Sequence, residues 1–184
     1  AKDQVQAVSW YRKAAEQGYD RAQHNLGYCF SEGRGVAKDH VQAVSWCRKA
    51  AEQGLGQAQH RLGVFYYRGD GVAKDLVQAV SWYRKAAEQG LAQAQLNLGL
   101  CYEEGDGVEK DETTAVLWYL MAAEQGHVWA QYNLGVCYAN GIGVTKDEAE
   151  AVKLYGKAAE QGVADAQYNL GVCYYKGDGV EKDP

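Results

Sequence analysis

The apolar positions of this 184-residue chain recur in blocks of 36, and each block shows helical spacing twice. In the stretch that begins at Ala22, the residues Ala22, Leu26, Cys29 and Phe30 lie three or four apart and share one face. This predicts a first helix, A, running to about Glu32. The turn Gly33-Arg34-Gly35-Val36 follows. Asp39, with Gln42 three residues on, then has the form of a capping box, and Asp147 with Glu150 is its fullest example. Ala43, Trp46, Cys47, Ala50 and Ala51 define the apolar face of a second helix, B, and Gly54 stops it as a left-handed C-terminal residue would.

The block repeats without a slip. Asp3, Asp39, Asp75, Asp111, Asp147 and Asp183 are in phase, as are Gly18, Gly54, Gly90, Gly126 and Gly162. Leu26, Leu62, Leu98, Leu134 and Leu170 are each followed by glycine inside helix A. A mid-helix glycine costs about 1 kcal/mol relative to alanine. Its recurrence predicts a close approach of helices A and B that only a missing Cβ permits. A single two-helix hairpin cannot bury its apolar face, so successive hairpins stack. The expectation is an all-α solenoid of ten helices, a single domain over residues 1–184 with five 36-residue periods. It opens on a helix B and closes after a helix A, and Pro184 after Asp183 marks the start of a further helix B. The last helix A, from Asp165 to Tyr175, would expose apolar surface, so end-to-end self-association through it is expected.

Composition adds exclusions. The 22 glycines against one proline are the punctuation of the repeat. The net charge of −5 speaks against a nucleic-acid surface, for which a basic stripe is expected. No apolar run is long enough for a membrane span, and Ala1–Ala7 has no apolar signal-peptide region, so the compartment stays unassigned.

Candidate chemistry is sparse. Cys29, Cys101, Cys137 and Cys173 share one repeat position, with Phe65 in the second copy, and equivalent positions one repeat apart lie about 10 Å apart if helices stack normally, too far for a disulfide. They read as small buried apolar residues. Cys47 stands where Tyr11 and Tyr83 stand in other copies, and Phe65 is expected to fill the space it leaves. His24 and His60 lie a repeat apart, unlike ligands that must converge on one ion, so no metal site is expected. The Gly-x-Gly turns lack the strand and third glycine of a dinucleotide fingerprint. The row Arg12-Lys13, Arg48-Lys49 and Arg84-Lys85 is followed by glutamates and reads as a solvated face. No cofactor and no catalytic set emerges.

The pattern Ala166–Leu170–Gly171–Tyr174, the turn Gly177-Asp178-Gly179-Val180 and the stretch from Asp75 through Ala79 and Trp82-Tyr83 to Ala86-Ala87-Glu88-Gln89-Gly90 resemble the Sel-one-like repeat, a relative of the tetratricopeptide repeat. The resemblance covers the whole chain. It implies a right-handed α/α superhelix and a non-enzymatic adaptor, often bacterial, that holds a protein or peptide on its concave face. By that likeness the partner-binding residues are His24, Tyr28, His60, Val64, Tyr67, Leu96, Leu100, Trp129, Tyr132, Val136, Tyr168, Val172 and Tyr175. Helix A varies at these positions, whereas residues 1–18 and 73–90 differ only at Gln4 against Leu76. Apolar residues in a variable exposed column point to a binding surface. A cysteine-rich branch of the family, linked to penicillin binding and so to a hydrolase-like alternative, pairs cysteines at positions that map onto Ala15 and Gln23. Their absence disfavours that activity here.

Overall fold

The computed structural model describes residues 2–180, so Asp183 and Pro184 lie outside the described residues. The fold is all-α. The second helices of the repeats are α1 (Lys2–Glu16), α3 (His40–Glu52), α5 (Leu76–Glu88), α7 (Glu112–Glu124) and α9 (Glu148–Glu160). The first helices are α2 (Asp20–Glu32), α4 (Gly56–Arg68), α6 (Ala92–Glu104), α8 (Val128–Asn140) and α10 (Ala164–Lys176). Two compact units result, residues 1–94 and 95–184.

The caps follow from the sequence. The Asp39 carboxylate accepts from the Gln42 N–H at 3.0 Å, and Asp75, Asp111 and Asp147 cap α5, α7 and α9 in the same way. A side-chain oxygen there satisfies one of the amides that a helix start leaves unpaired. At the other end of each first helix, a glycine such as Gly33 (φ 68°) or Gly141 (φ 73°) takes the left-handed turn. The Asp39 N–H donates to the Phe30 carbonyl at 2.9 Å, which ties the turn back onto α2.

Gly27, Gly63, Gly99 and Gly135 make the close approach that their recurrence predicts, whereas a Cβ on Gly171 would meet nothing within 4 Å. A Cβ on Gly63 would meet the Tyr83 ring at 2.6 Å, and one on Gly99 would meet the Tyr119 ring. Leu26, Leu62, Leu98 and Leu134 are fully buried beside them. In the first unit, Cys47 replaces the tyrosine, and Gly27 faces the Ala43 carbonyl and the Cys47 amide directly. Phe65 is buried and meets the His40 ring edge-on at 6.4 Å.

The basic row on the second helices is not merely solvated. Lys13, Lys49 and Lys85 each stand 4.1–4.3 Å over the ring of Trp10, Trp46 and Trp82, three residues earlier. Arg48 donates to the Tyr66 hydroxyl at 2.8 Å with its guanidinium over that ring. These cations therefore shield aromatic surface as well as face water.

Candidate protein-binding faces

The expected binding residues lie on the first helices, and their surroundings differ between the units. In the first unit, His24 and Tyr28 on α2 and His60 and Val64 on α4 are half-buried, while Tyr67 is exposed beneath Lys74. The His60 ring lies 5.8 Å from that of Tyr83. Burial, and then the nearby Arg61 guanidinium, lower the pKa of His60 to about 4. Burial and Arg61 lower that of His24 as well. Both imidazoles are therefore neutral near pH 7.

Arg61 was not among the expected binding residues, yet it organises this face. It stands 4.8 Å from the centre of the Tyr28 ring, and Arg34 stands 5.1 Å from the same ring. Arg61 also donates to the Ser31 hydroxyl at 3.3 Å. Its repeat column otherwise carries Asn25, Asn97, Asn133 and Asn169, and that exception was the signal for it in the sequence. A depression of about 530 Å³ borders Arg21, His24, Asn25 and Leu55, and one of about 350 Å³ borders Tyr11, Asn25, Tyr28 and Arg34.

In the second unit the face is aromatic. Trp129 is 47% exposed and meets Tyr132 edge-on at 6.2 Å. Tyr132 is half-buried, packs against Ala158, Val163 and Ala166, and lies 6.1 Å from the Tyr155 ring. It therefore supports the face as much as it lines it. Tyr168 and Tyr175 on α10 are 73% and 93% exposed, and Leu100 is also exposed. Val136 and Val172 are half-buried. Leu96, at 6%, is covered by the fold and presents almost no surface. A depression of about 330 Å³ between α9 and α10 borders Tyr155, Val172, Cys173, Lys146 and Asp178.

Cys29, Cys47, Cys101 and Cys137 are free and buried, as expected of core residues, whereas Cys173 on α10 is free but only half-buried. Burial pushes the Cys47, Cys101 and Cys137 thiols up to about 12, so they are protonated at neutral pH. A thiol in that state is a poor nucleophile. Among the described residues no three His, Cys, Asp or Glu side chains gather as a metal set, and no helix is long and apolar enough to cross a membrane.

At the two positions where the cysteine-rich branch is paired, Gln23 donates through Nε2 to the Ala15 carbonyl at 3.1 Å. A hydrogen bond thus joins the same two helices there.

The Sel1 repeat model matches at residues 1–19, 20–55, 56–91, 92–127, 130–163 and 164–184. The chain is similar to the crystal structure of a protective antigen of uropathogenic Escherichia coli that displays an SLR fold, with 46% identity and a TM-score of 0.92. That match covers 95% of this chain and 37% of the antigen, so the chain spans well under half of its relative's length. A Sel1 repeat protein from Oxalobacter formigenes is 42% identical at a TM-score of 0.86, over 98% of this chain and 72% of the other. The Helicobacter pylori cysteine rich protein B is 28% identical at a TM-score of 0.58, over 72% and 96%. No curated protein matches the chain significantly. Sel1 repeat proteins generally serve as protein-interaction scaffolds. With its two-helix periods, shared caps and glycine contacts, the chain belongs to the Sel1 repeat family.

Proposed function

We propose that this chain is a non-enzymatic adaptor that holds a peptide or protein segment along the exposed faces of its first helices. The observation that carries this reading is the aromatic surface of the second unit, where Trp129, Tyr168 and Tyr175 stand open on α8 and α10. Large exposed aromatic side chains cost little conformational entropy when a partner covers them, and they dominate the energetics of many interfaces. In the first unit, nearly copied second helices stand against varied first helices, which supports a first-helix face there as well. The protonated, buried thiols support a binding role over catalysis.

The test is affinity capture with the whole chain and with a Trp129→Ala, Tyr168→Ala, Tyr175→Ala variant of unchanged circular dichroism. These three side chains are exposed, so their removal leaves the core intact. A partner held by the parent and lost by the variant supports the reading. A partner held equally by both moves the site off these helices.

A further inference from the structure

The net charge of −5 hides a division. Residues 1–94 carry thirteen Lys and Arg against nine Asp and Glu, a formal +4. Residues 95–184 carry six against fifteen, a formal −9. The first unit therefore contradicts the chain's overall acidity, and its cations are unevenly placed.

Two of them break the repeat. Arg34 occupies the turn position held by Asp70, Asp106 and Asp178 in other copies, and Arg61 the position held by asparagine in the four others. Tyr28 is a third exception, since its column otherwise reads Val64, Leu100, Val136 and Val172. These exceptions come from α2, the turn after it and α4, yet they meet at one place. Both guanidiniums stand about 5 Å from the centre of the Tyr28 ring. The Ser31 hydroxyl, in a column with no other serine, accepts from Arg61 and donates to Glu32 Oε1 at 3.4 Å.

Neither arginine has a carboxylate partner among the described residues. The two adjoining depressions, which share Asn25 and border Arg21 and Arg34, include no Asp or Glu in their walls. The depression between α9 and α10, by contrast, sets Lys146 and Lys176 beside Glu148 and Asp178. A guanidinium stacked on a ring is partly desolvated and fixed in direction, and its planar fork matches a carboxylate. Two such forks on one ring, with no carboxylate in direct contact and Glu32 reached only through the Ser31 hydroxyl, are organised for an external anion.

We propose that Arg34 and Arg61, held by Tyr28, bind a side-chain carboxylate of an acidic peptide segment, with Arg21 extending the site. This rests on the adaptor reading and gives the first unit its own ligand chemistry. The walls also include Tyr11, Leu55 and Leu91, which suits a peptide with apolar neighbours to its acids. A nucleic-acid backbone would instead call for a stripe of cations following successive phosphates, whereas here they converge on one ring.

The test measures fluorescence anisotropy of end-blocked, fluorescein-labelled hexaglutamate with the whole 184-residue chain at low salt. Hexaglutamine and a ten-residue uridine RNA serve as comparison ligands. The variants Arg34→Asp and Arg61→Asn carry residues that other repeats use at those places, so each keeps the fold, checked by its thermal midpoint. Lys153→Glu, in the second unit, changes charge by as much as Arg34→Asp does. The expected result is saturable hexaglutamate binding that weakens at least tenfold in each arginine variant and stays unchanged in Lys153→Glu, with no hexaglutamine binding. Equal binding by parent and arginine variants, an equal loss in Lys153→Glu, or tighter binding of the RNA would overturn the proposal. If only this inference fails, protein capture through α8 and α10 persists. If only the adaptor reading fails, hexaglutamate binding persists without any captured protein.

Discussion

Gln89 donates through Nε2 to Oε1 of Gln59 at 2.8 Å, and Gln59 in turn donates to the Ala51 carbonyl at 3.2 Å. The bond between glutamines 30 residues apart recurs as Gln53 to Gln23, Gln125 to Gln95 and Gln161 to Gln131. Gln59 is buried, so truncating it removes both bonds of the rung, while Ala51 keeps the Gly54 N–H and Gln89 keeps the Gly54 carbonyl. Gln59→Ala is expected to cost about 1–3 kcal/mol, read as a lower urea midpoint. A midpoint unchanged from the parent would show that water replaces the rung at no cost.

Glycines at two places in the helices should respond to alanine with opposite signs. A Cβ at Gly63 meets the Tyr83 ring at 2.6 Å and the Ala79 carbonyl at 3.2 Å, whereas one at Gly156 meets nothing within 4 Å. Gly63→Ala should destabilise by about 1–3 kcal/mol through overpacking. Gly156→Ala should stabilise by about 0.5–1 kcal/mol through helix propensity alone. Thermal unfolding of both variants decides it, and a shift of the same sign in each would remove the packing argument.

Acid should weaken the first unit. His60 titrates near its ordinary 6.5 when unfolded and at about 4 when folded, because burial and then Arg61 disfavour the imidazolium. Between these values the unfolded chain binds more protons. Stability is therefore full above about pH 6.5 and declines as the pH falls towards 4, by about 2–3 kcal/mol from this group. His24 acts in the same direction. Replacing His60 by leucine, the residue at the equivalent position 96, should flatten part of that decline in urea midpoints taken from pH 7 to pH 4.5. An equally steep decline in His60→Leu would assign the loss to other groups.

Helix α10 is more open than the other first helices. Gly135 on α8 faces the Tyr155 ring, but a Cβ on the equivalent Gly171 would meet nothing, and Tyr174 is 64% exposed. The 184-residue chain should therefore self-associate with rising concentration in sedimentation velocity, and Tyr174→Lys should reduce it. A sedimentation coefficient independent of concentration would count against this use of the face.

The fold was legible because its signals repeat. Asp39 and its equivalents, Gly33 and its equivalents, and the Leu26–Gly27 column each state a local rule several times over, and neighbouring repeats agree. The binding face was legible only in part. Periodicity places Leu96 and Tyr168 in one column, but whether a side chain is covered depends on its neighbours, and Leu96 is buried while Tyr168 is open. The basic site was missed for the opposite reason. Arg34, Arg61 and Tyr28 each depart from the repeat at a different position, and only the folded packing of α2 on α4 brings the three exceptions to one ring. The glutamine rungs were equally hidden, since an exposed-looking Gln at each helix end gives no sign of a partner 30 residues away.

The most direct test of the central claim is hydrogen–deuterium exchange on the chain with and without a captured partner. The adaptor reading predicts slowed exchange in α8 and α10, around Trp129, Tyr168 and Tyr175, with α7 and α9 unchanged. Protection confined to α7 and α9, with α8 and α10 exchanging as in the free chain, would contradict it.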